Sequence, residues 1–270
     1  AFMAYLATLD TIIRDIIEPS AIAVVRDGTF PRSAIRALGE AGLLGLTSAT
    51  EVGGMGLGLA EAAQVIERIA QACSSTAMVV CMHFSATAVI EKFGAEALRR
   101  EVAAGRHLST LAWSEAGSRS HFWAPVGTAV PDSDGYMLDG AKTMVTSALE
   151  ADSYIWSSRP AQAEGASSLW FVDSKTAGLT QLNPFDGMGL RGNASAPLVS
   201  KSMRLPQSAL LGTDGGGFDI MIGVVLPVFS TLIASTSIGI METAINRSIA
   251  HVSGNKFEHM DSSLADLPTI

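Results

Sequence analysis

The chain has 270 residues, of which 48% are hydrophobic and 16% charged, and its formal net charge is -8. That length and apolar content suffice for a large core in one or two domains, and the mean hydropathy of +0.32 indicates extensive burial, including burial at subunit interfaces. The acidic balance and the lack of a basic stripe argue against a nucleic-acid-binding protein.

The two cysteines indicate the redox setting. On one helix, Cys73 and Cys81 would be separated by a rise of about 12 Å, which is too long for a disulfide. We interpret them as buried free thiols in a reducing cytosol, so the expected location is cytoplasmic. The N-terminal segment lacks the basic region and the cleavage site of a signal peptide.

The first hundred residues are predicted to be helical. One helix covers residues 2–17 and ends at Pro19, and a second begins at Phe30-Pro31 and is capped by Gly42. Apolar residues at helical spacing predict three more helices, from Leu59, from Ser75 to Phe93 and from Glu96 to Ala104. The glycine-rich loop of residues 45–58 has the wrong spacing for a dinucleotide site and follows a helix, so we interpret it as a turn.

Short strand-like runs separated by turn signals begin after Gly105 and predict a β domain. They cover residues 110–113, 126–130, 136–139, 153–157, 169–173, 179–182 and 198–205. The helical pattern resumes after Gly217. The order predicts an α+β fold: an N-terminal helical domain (1–106), a middle β-barrel-like domain (107–213) and the start of a truncated C-terminal helical bundle (214–270).

Residues 220–241 contain no charge and are long enough to cross a bilayer. They also contain Gly223, Pro227 and a serine–threonine cluster, and no basic cluster flanks them to set a topology. We therefore predict a buried helix in an oligomer that does not insert in a membrane. Pro227 is expected to kink this helix or to lie near its first turns, because it has no amide hydrogen.

Two stretches carry the functional signal. Residues 111–121 read LAWSEAGSRSH, with small and hydroxyl residues around one acid, and residues 142–148 read KTMVTSA, with a Thr-Ser pair at a strand end. Neither matches a metal site, a nucleophile triad or a phosphate loop. Both fit a flat cofactor whose polar edge needs backbone N–H groups and hydroxyls.

These stretches resemble the flavin segments of the acyl-CoA dehydrogenase family, whose consensus is roughly TEPGAGSD and W-[IV]-T-N. The likeness covers nearly the whole chain, because residues 30–70, residues 134–155 and residues 187–212 also resemble family patterns in the same order. The resemblance implies FAD-dependent dehydrogenation of an acyl-CoA in fatty acid metabolism. In that chemistry a carboxylate takes the α-proton and the β-hydrogen passes as hydride to flavin N5.

The resemblance also implies which residues form the site. The cofactor-binding residues would be Leu111, Trp113, Ser114, Met144, Val145 and Thr146, with Thr146 near N5. The substrate-binding residues would be Ser120, where the family's serine approaches the pantetheine or phosphate, and Ser230, where many members have an arginine. The implied partners are an acyl thioester, an electron-accepting flavoprotein and further subunits in a homo- or hetero-oligomer, a dimer or a tetramer.

The departures from the family pattern leave alternatives open. The family's tryptophan is Met144 and its asparagine is Ser147, while Phe229 stands where some members have the catalytic base, so no base can be assigned. A flavin-dependent monooxygenase on the same fold needs no such base. A non-catalytic subunit that completes a partner's flavin site would explain the loss of arginines at Ser230 and Gly254.

Overall fold

The computed structural model describes residues 4–119 and 121–267. Helices fill the N-terminal part: α1 (Ala4–Ile12), α2 (Glu18–Arg26), α3 (Arg32–Glu40), α4 (Leu59–Ala72), α5 (Ser74–Phe93) and α6 (Glu96–Ala103). The C-terminal part of the described chain forms α7 (Gly217–Ile220) and α8 (Leu226–Gly254). Gly42 adopts the left-handed conformation after α3, as its predicted capping role requires.

The first helix does not end at Pro19, so that prediction was wrong. A π turn over Ile13–Ile17 joins α1 to α2, and the amide of Glu18 donates to the carbonyl of Ile13, five residues back. Pro19 then lies in the first turn of α2. The helical path therefore continues to Arg26.

A second π turn precedes α8. A π turn over Met221–Val225 joins α7 to α8, and the amide of Leu226 donates to the carbonyl of Met221. Pro227 lies in the first turn of α8, which confirms its predicted place.

One face of α8 packs on the helical layer. At Gly239 the α8 backbone approaches α4 so closely that an added Cβ would lie 2.3 Å from the carbonyl oxygen of Glu67. The opposite face is apolar and exposed at Ile238, Met241 and Ile245. Within the described chain α4 and α5 cover only one face of this helix, and its full burial in an oligomer stays a prediction.

By length and composition alone, two helices of the described chain could span a bilayer. The continuous segment Gly217–Gly254 has an 18-residue window with a mean hydropathy of 2.0, of which 28% is buried, and Ser74–Phe93 has one of 1.2 that is 67% buried. A core helix of a soluble protein passes the same test, so the pattern alone decides nothing.

The middle part forms two four-stranded sheets, which confirms the α+β class. Its strands are β1 (Ser109–Ala112), β2 (Thr128–Asp132), β3 (Gly135–Val145), β4 (Ser153–Ser158), β5 (Ser168–Asp173), β6 (Leu179–Gln181), β7 (Ala196–Pro206) and β8 (Leu210–Leu211). The first sheet has the order β1-β4-β5-β8 and the second the order β2-β3-β7-β6. Strands β1 and β4 run parallel, and the other described pairs are antiparallel.

Both sheets contribute to one apolar core, in which Trp156 and Trp170 of the first sheet pack with Leu138 and Met203 of the second. The other side of the first sheet packs on α5 and on the turn before α8, through Ile155, Val89 and Met221 among others. The ends of β1 and β3 therefore lie where the sheets, α5 and α8 meet.

We expect the fold to lose stability in mild acid because of His83 in α5. The side chain is fully buried, its Nδ1 accepts the amide of Ser109 at 3.2 Å, and its Nε2 lies 3.1 Å from the carbonyl oxygen of Leu44. Burial lowers the pKa of His83 to about 4. Only the unfolded chain then binds this proton between pH 6.5 and 4, so stability falls as pH drops through that window.

Denaturant unfolding at pH 7 and pH 5 measures this effect. His83 should account for about 2 kcal/mol of the loss, at about 1.4 kcal/mol per pH unit. In the His83→Gln variant this part of the pH dependence should vanish, whatever the variant's stability at pH 7. Equal pH dependence in both proteins would contradict the assignment to His83.

Candidate functional site

A cavity of about 230 Å³ opens where β1, β3 and the start of α8 converge. Leu111, Trp113 and Ser114 line it from the first predicted segment, Met144 from the second and Ser230 from α8. The remaining wall is apolar and consists of Met82, Phe122, Met221, Val225, Leu226 and Phe229. The cavity thus joins an apolar interior to two serine hydroxyls.

The other predicted site residues lie elsewhere. The Val145 side chain is buried in the core between the sheets, and Thr146 is half-buried and does not line the cavity. Ser147 has a left-handed φ of 58°, and its amide donates to the carbonyl of Asn193 at 2.9 Å. Contacts of Val145 and Thr146 with a cofactor stay a prediction, and Ser120 lies outside the described residues.

A direct hydrogen bond joins the two segments. The amide of Thr143 donates to the carbonyl of Ser114 at 2.9 Å, and the Thr143 hydroxyl donates to the same oxygen at 3.2 Å. Strands β1 and β3 belong to different sheets, so this contact is not part of a strand ladder. It sets Ser114 and Met144 side by side on the cavity wall.

A buried ion pair lies directly behind this contact. The Nζ of Lys142 donates to Oε1 of Glu115 at 2.6 Å, and to the carbonyl and hydroxyl oxygens of Ser157 at 2.7 Å and 2.8 Å. The Lys142 side chain is 0% exposed and that of Glu115 is 2% exposed. The second carboxylate oxygen of Glu115 accepts the amides of Val126 and Gly127 at 2.6 Å and 3.0 Å.

The pair is satisfied on both sides despite its burial. All three ammonium hydrogens of Lys142 have acceptors, and its Nζ lies 5.0 Å from the centre of the Trp156 ring. Burial lowers the pKa of Lys142 to about 8, while the charge and hydrogen bond of Glu115 act in the opposite direction. Lys142 therefore remains largely protonated at neutral pH.

Sequence reasoning missed the role of Lys142, although a signal was present. Lys142 has the same inward-facing parity along β3 as the core residue Leu138. A lysine on the inward face of a strand requires a buried partner, and the acid Glu115 in the first segment was the candidate.

An aromatic cluster forms the side of the cavity next to the first segment. Phe122 stacks on Trp113 with ring centres 5.9 Å apart and planes 16° apart, and Trp123 meets Phe122 edge-on at 5.1 Å. The Nε1 of Trp113 is buried and has no hydrogen-bond partner among the described residues. Trp113 thus contributes its ring to the cavity wall, while its N–H is enclosed by the protein.

Two family models match the chain. Residues 3–105 match the family described as "Acyl-CoA dehydrogenase, N-terminal domain", and residues 110–203 match "Acyl-CoA dehydrogenase, middle domain". The human mitochondrial short-chain specific acyl-CoA dehydrogenase is 31% identical over 236 residues, which are 84% of this chain and 57% of the relative. The pig protein of the same name is 30% identical over 265 residues, 92% of this chain and 64% of the relative. The chain thus spans less than two thirds of these relatives.

Solved structures agree at the level of the fold. Butyryl-CoA dehydrogenase from Megasphaera elsdenii superposes with a TM-score of 0.90 at 20% identity, over 98% of this chain and 71% of that one. A structure described as "PigA with FAD and proline" gives 0.80 at 18% identity, over 94% and 68%. A group of three or more metal-ligating side chains is not found among residues 4–119 and 121–267.

Proposed function

The chain belongs to the acyl-CoA dehydrogenase family, and from this premise we propose that it is an FAD-dependent oxidoreductase that introduces an α,β double bond into an acyl thioester. The observation that carries the proposal is the cavity in which the two flavin-type segments meet, through Ser114 and Met144. Relatives of this chain are named dehydrogenases of acyl-CoA and of cyclohex-1-ene-1-carbonyl-CoA.

FAD is the proposed cofactor because the wall of the cavity fits a flat ring with a polar edge. Ser114 offers a hydroxyl just beyond the end of β1, and Met144, which is 65% exposed, offers a soft apolar surface. When bound, FAD supplies at N5 the acceptor for the hydride that leaves the β carbon.

The chain's own residues would orient the ligands and exclude water. Leu111 and Phe229 provide apolar surface around the reacting carbons, where a dry environment strengthens every polar contact. Thr146 is proposed as a donor toward the ring and Ser230 as a donor toward the acyl thioester. Ser120 keeps its proposed role at the pantetheine or phosphate.

The α-proton also needs an acceptor. The described wall of the cavity is apolar or hydroxyl-bearing and includes no carboxylate. We therefore propose that a carboxylate from outside this wall takes the α-proton. The same observation favours, as the second candidate, a flavin-dependent monooxygenase, which needs no such base.

Partners follow from this proposal. Electrons from the acyl group would pass to an electron-accepting flavoprotein, and the chain would act in the cytoplasm as part of a homo- or hetero-oligomer. A non-catalytic subunit would instead be colourless when purified alone and yellow with a homologous partner.

The visible absorption spectrum of the protein with added FAD is the test. Addition of acyl-CoAs of increasing length without oxygen should bleach the flavin band for a matching substrate and release the enoyl product. Oxygen consumption with reduced flavin and no bleaching by any acyl-CoA would instead favour the monooxygenase.

Met144→Glu should weaken FAD binding at least tenfold, because a carboxylate placed against the ring must be desolvated, and tenfold corresponds to about 1.4 kcal/mol. Met188→Glu is the matched control, since Met188 is 101% exposed and does not line the cavity. Titration calorimetry measures both. Equal dissociation constants for the Met144→Glu variant and the unaltered protein would show that FAD binds elsewhere.

A further inference from the structure

We propose that the buried Glu115–Lys142 pair is the positioning element of this site, which fixes the two cavity-lining segments and the Phe122 wall so that FAD binding depends on it. The inference rests on the proposed function for its cofactor. Its structural part rests on the contacts of the pair alone.

The two strands that lead into the cavity, β1 and β3, lie in different sheets. Strand β1 pairs with β4 in one sheet, and β3 pairs with β2 and β7 in the other, so no ladder of backbone hydrogen bonds sets the distance from β1 to β3. Lys142 of β3 bridges the two sheets twice, to Glu115 just after β1 and to Ser157 in β4. Placement of Met144, two residues further along β3, depends on these bonds together with those from Thr143 to the carbonyl of Ser114.

Glu115 also holds the loop that follows it in the chain. The second carboxylate oxygen of Glu115 holds the amides of Val126 and Gly127, which closes the chain between residues 115 and 126 into a loop. Phe122 projects from this loop onto Trp113 and lines the cavity. A displaced carboxylate would therefore move one wall of the cavity.

The hydrogen-bonding groups of Glu115 and Lys142 are all in use. Each hydrogen on Nζ of Lys142 already has an acceptor, and both oxygens of Glu115 accept bonds from different elements. A shorter or uncharged side chain cannot keep all of these partners at once. The pair thus specifies one arrangement of the site, which apolar packing of equal volume would not specify.

Two variants separate positioning from stability. Glu115→Asp keeps the charge but shortens the side chain, so it cannot reach both Lys142 and the amides of Val126 and Gly127. The double variant Glu115→Gln/Lys142→Met removes both charges with nearly unchanged shapes, which should restore much of the stability without restoring the bonds to Ser157.

Glu91→Gln is the matched control. Like Glu115, Glu91 pairs with a cationic side chain, that of Arg99 at 2.8 Å, and accepts a backbone amide, that of Ala49 at 3.3 Å. It lies in the helical layer and does not line the cavity. A change of FAD affinity that follows general loss of stability would appear in this variant too.

Amide hydrogen exchange and FAD titration of the folded proteins provide the readouts. We expect at least tenfold faster exchange over residues 121–127 in Glu115→Asp, and at least tenfold weaker FAD binding in both Glu115→Asp and the double variant. Glu91→Gln should bind FAD within twofold of the unaltered protein.

Normal FAD affinity in Glu115→Asp, or recovery of affinity together with stability in the double variant, would overturn the proposal. If the unaltered protein takes up no FAD, the proposed function fails, and the cofactor part of this inference fails with it. Unchanged exchange over residues 121–127 in Glu115→Asp would overturn the structural part independently of FAD.

Discussion

Replacing Lys142 by methionine is expected to lower the free energy of unfolding by about 3–5 kcal/mol, the typical cost of removing one partner from a buried ion pair. The substitution leaves the carboxylate of Glu115, which is 2% exposed, without its cation. It also removes two bonds to Ser157. Urea unfolding at pH 7 gives the value directly.

Lys201→Met is the control for this measurement. Lys201 is an exposed residue of β7, and surface substitutions of this kind change stability by about 0.5 kcal/mol or less. Adding Glu115→Gln to Lys142→Met should recover a large part of the loss, because no unpaired charge then remains buried. A cost below about 1 kcal/mol for Lys142→Met alone would mean that water reaches Glu115.

Gly45→Val is expected to prevent folding or to lower the free energy of unfolding by more than about 4 kcal/mol. Losses of that size are exceptional for single substitutions, and overpacking is one of their causes. A Cβ on Gly45 would lie 2.0 Å from the carbonyl oxygen of Ala103 and 2.7 Å from its carbonyl carbon. Both neighbours belong to the backbone at the end of α6, so no side-chain rotation relieves the overlap. Soluble yield and thermal unfolding measure the effect.

Gly223→Ala is the matched control, because a Cβ at Gly223 meets nothing within 4 Å. Alanine in a helical segment should be neutral or should stabilise the protein by up to about 1 kcal/mol. If Gly45→Ala, the milder form of the first change, melts within a few degrees of the unaltered protein, the close approach of Gly45 to α6 is wrong.

Local sequence patterns predicted most elements of the fold. The apolar spacing from Leu59 and over residues 75–93 gives α4 and α5 nearly as they are. The prediction of a strand over residues 136–139 was too short, because β3 continues through Asp139 and Gly140 to Val145. Pro19 misled the prediction because a π turn is a register shift with no residue signature of its own. The parallel pairing of β1 with β4 joins residues too far apart for local patterns to reveal.

Some residues of the candidate site could be predicted from the sequence, and others could not. Family likeness predicted Leu111, Trp113, Ser114 and Met144, because each belongs to a short segment whose spacing can be read directly, and all four meet at one cavity. Phe122 was missed because its place depends on how the loop after Glu115 closes. That closure depends on a carboxylate and two amides, which carry no sequence pattern.

The parallel pairing of β1 with β4 also limits how early during synthesis β1 can join a sheet. Ser109 leaves the ribosome 44 residues ahead of its partner Ser153, and Glu115 precedes Lys142 by 27 residues. Until β4 has emerged, β1 has no strand to join and the carboxylate stays hydrated. Closing a loop of that length costs entropy before any contact repays it. The cavity can be completed only after β1, β3 and the start of α8 have all emerged, because each of them contributes residues to its wall.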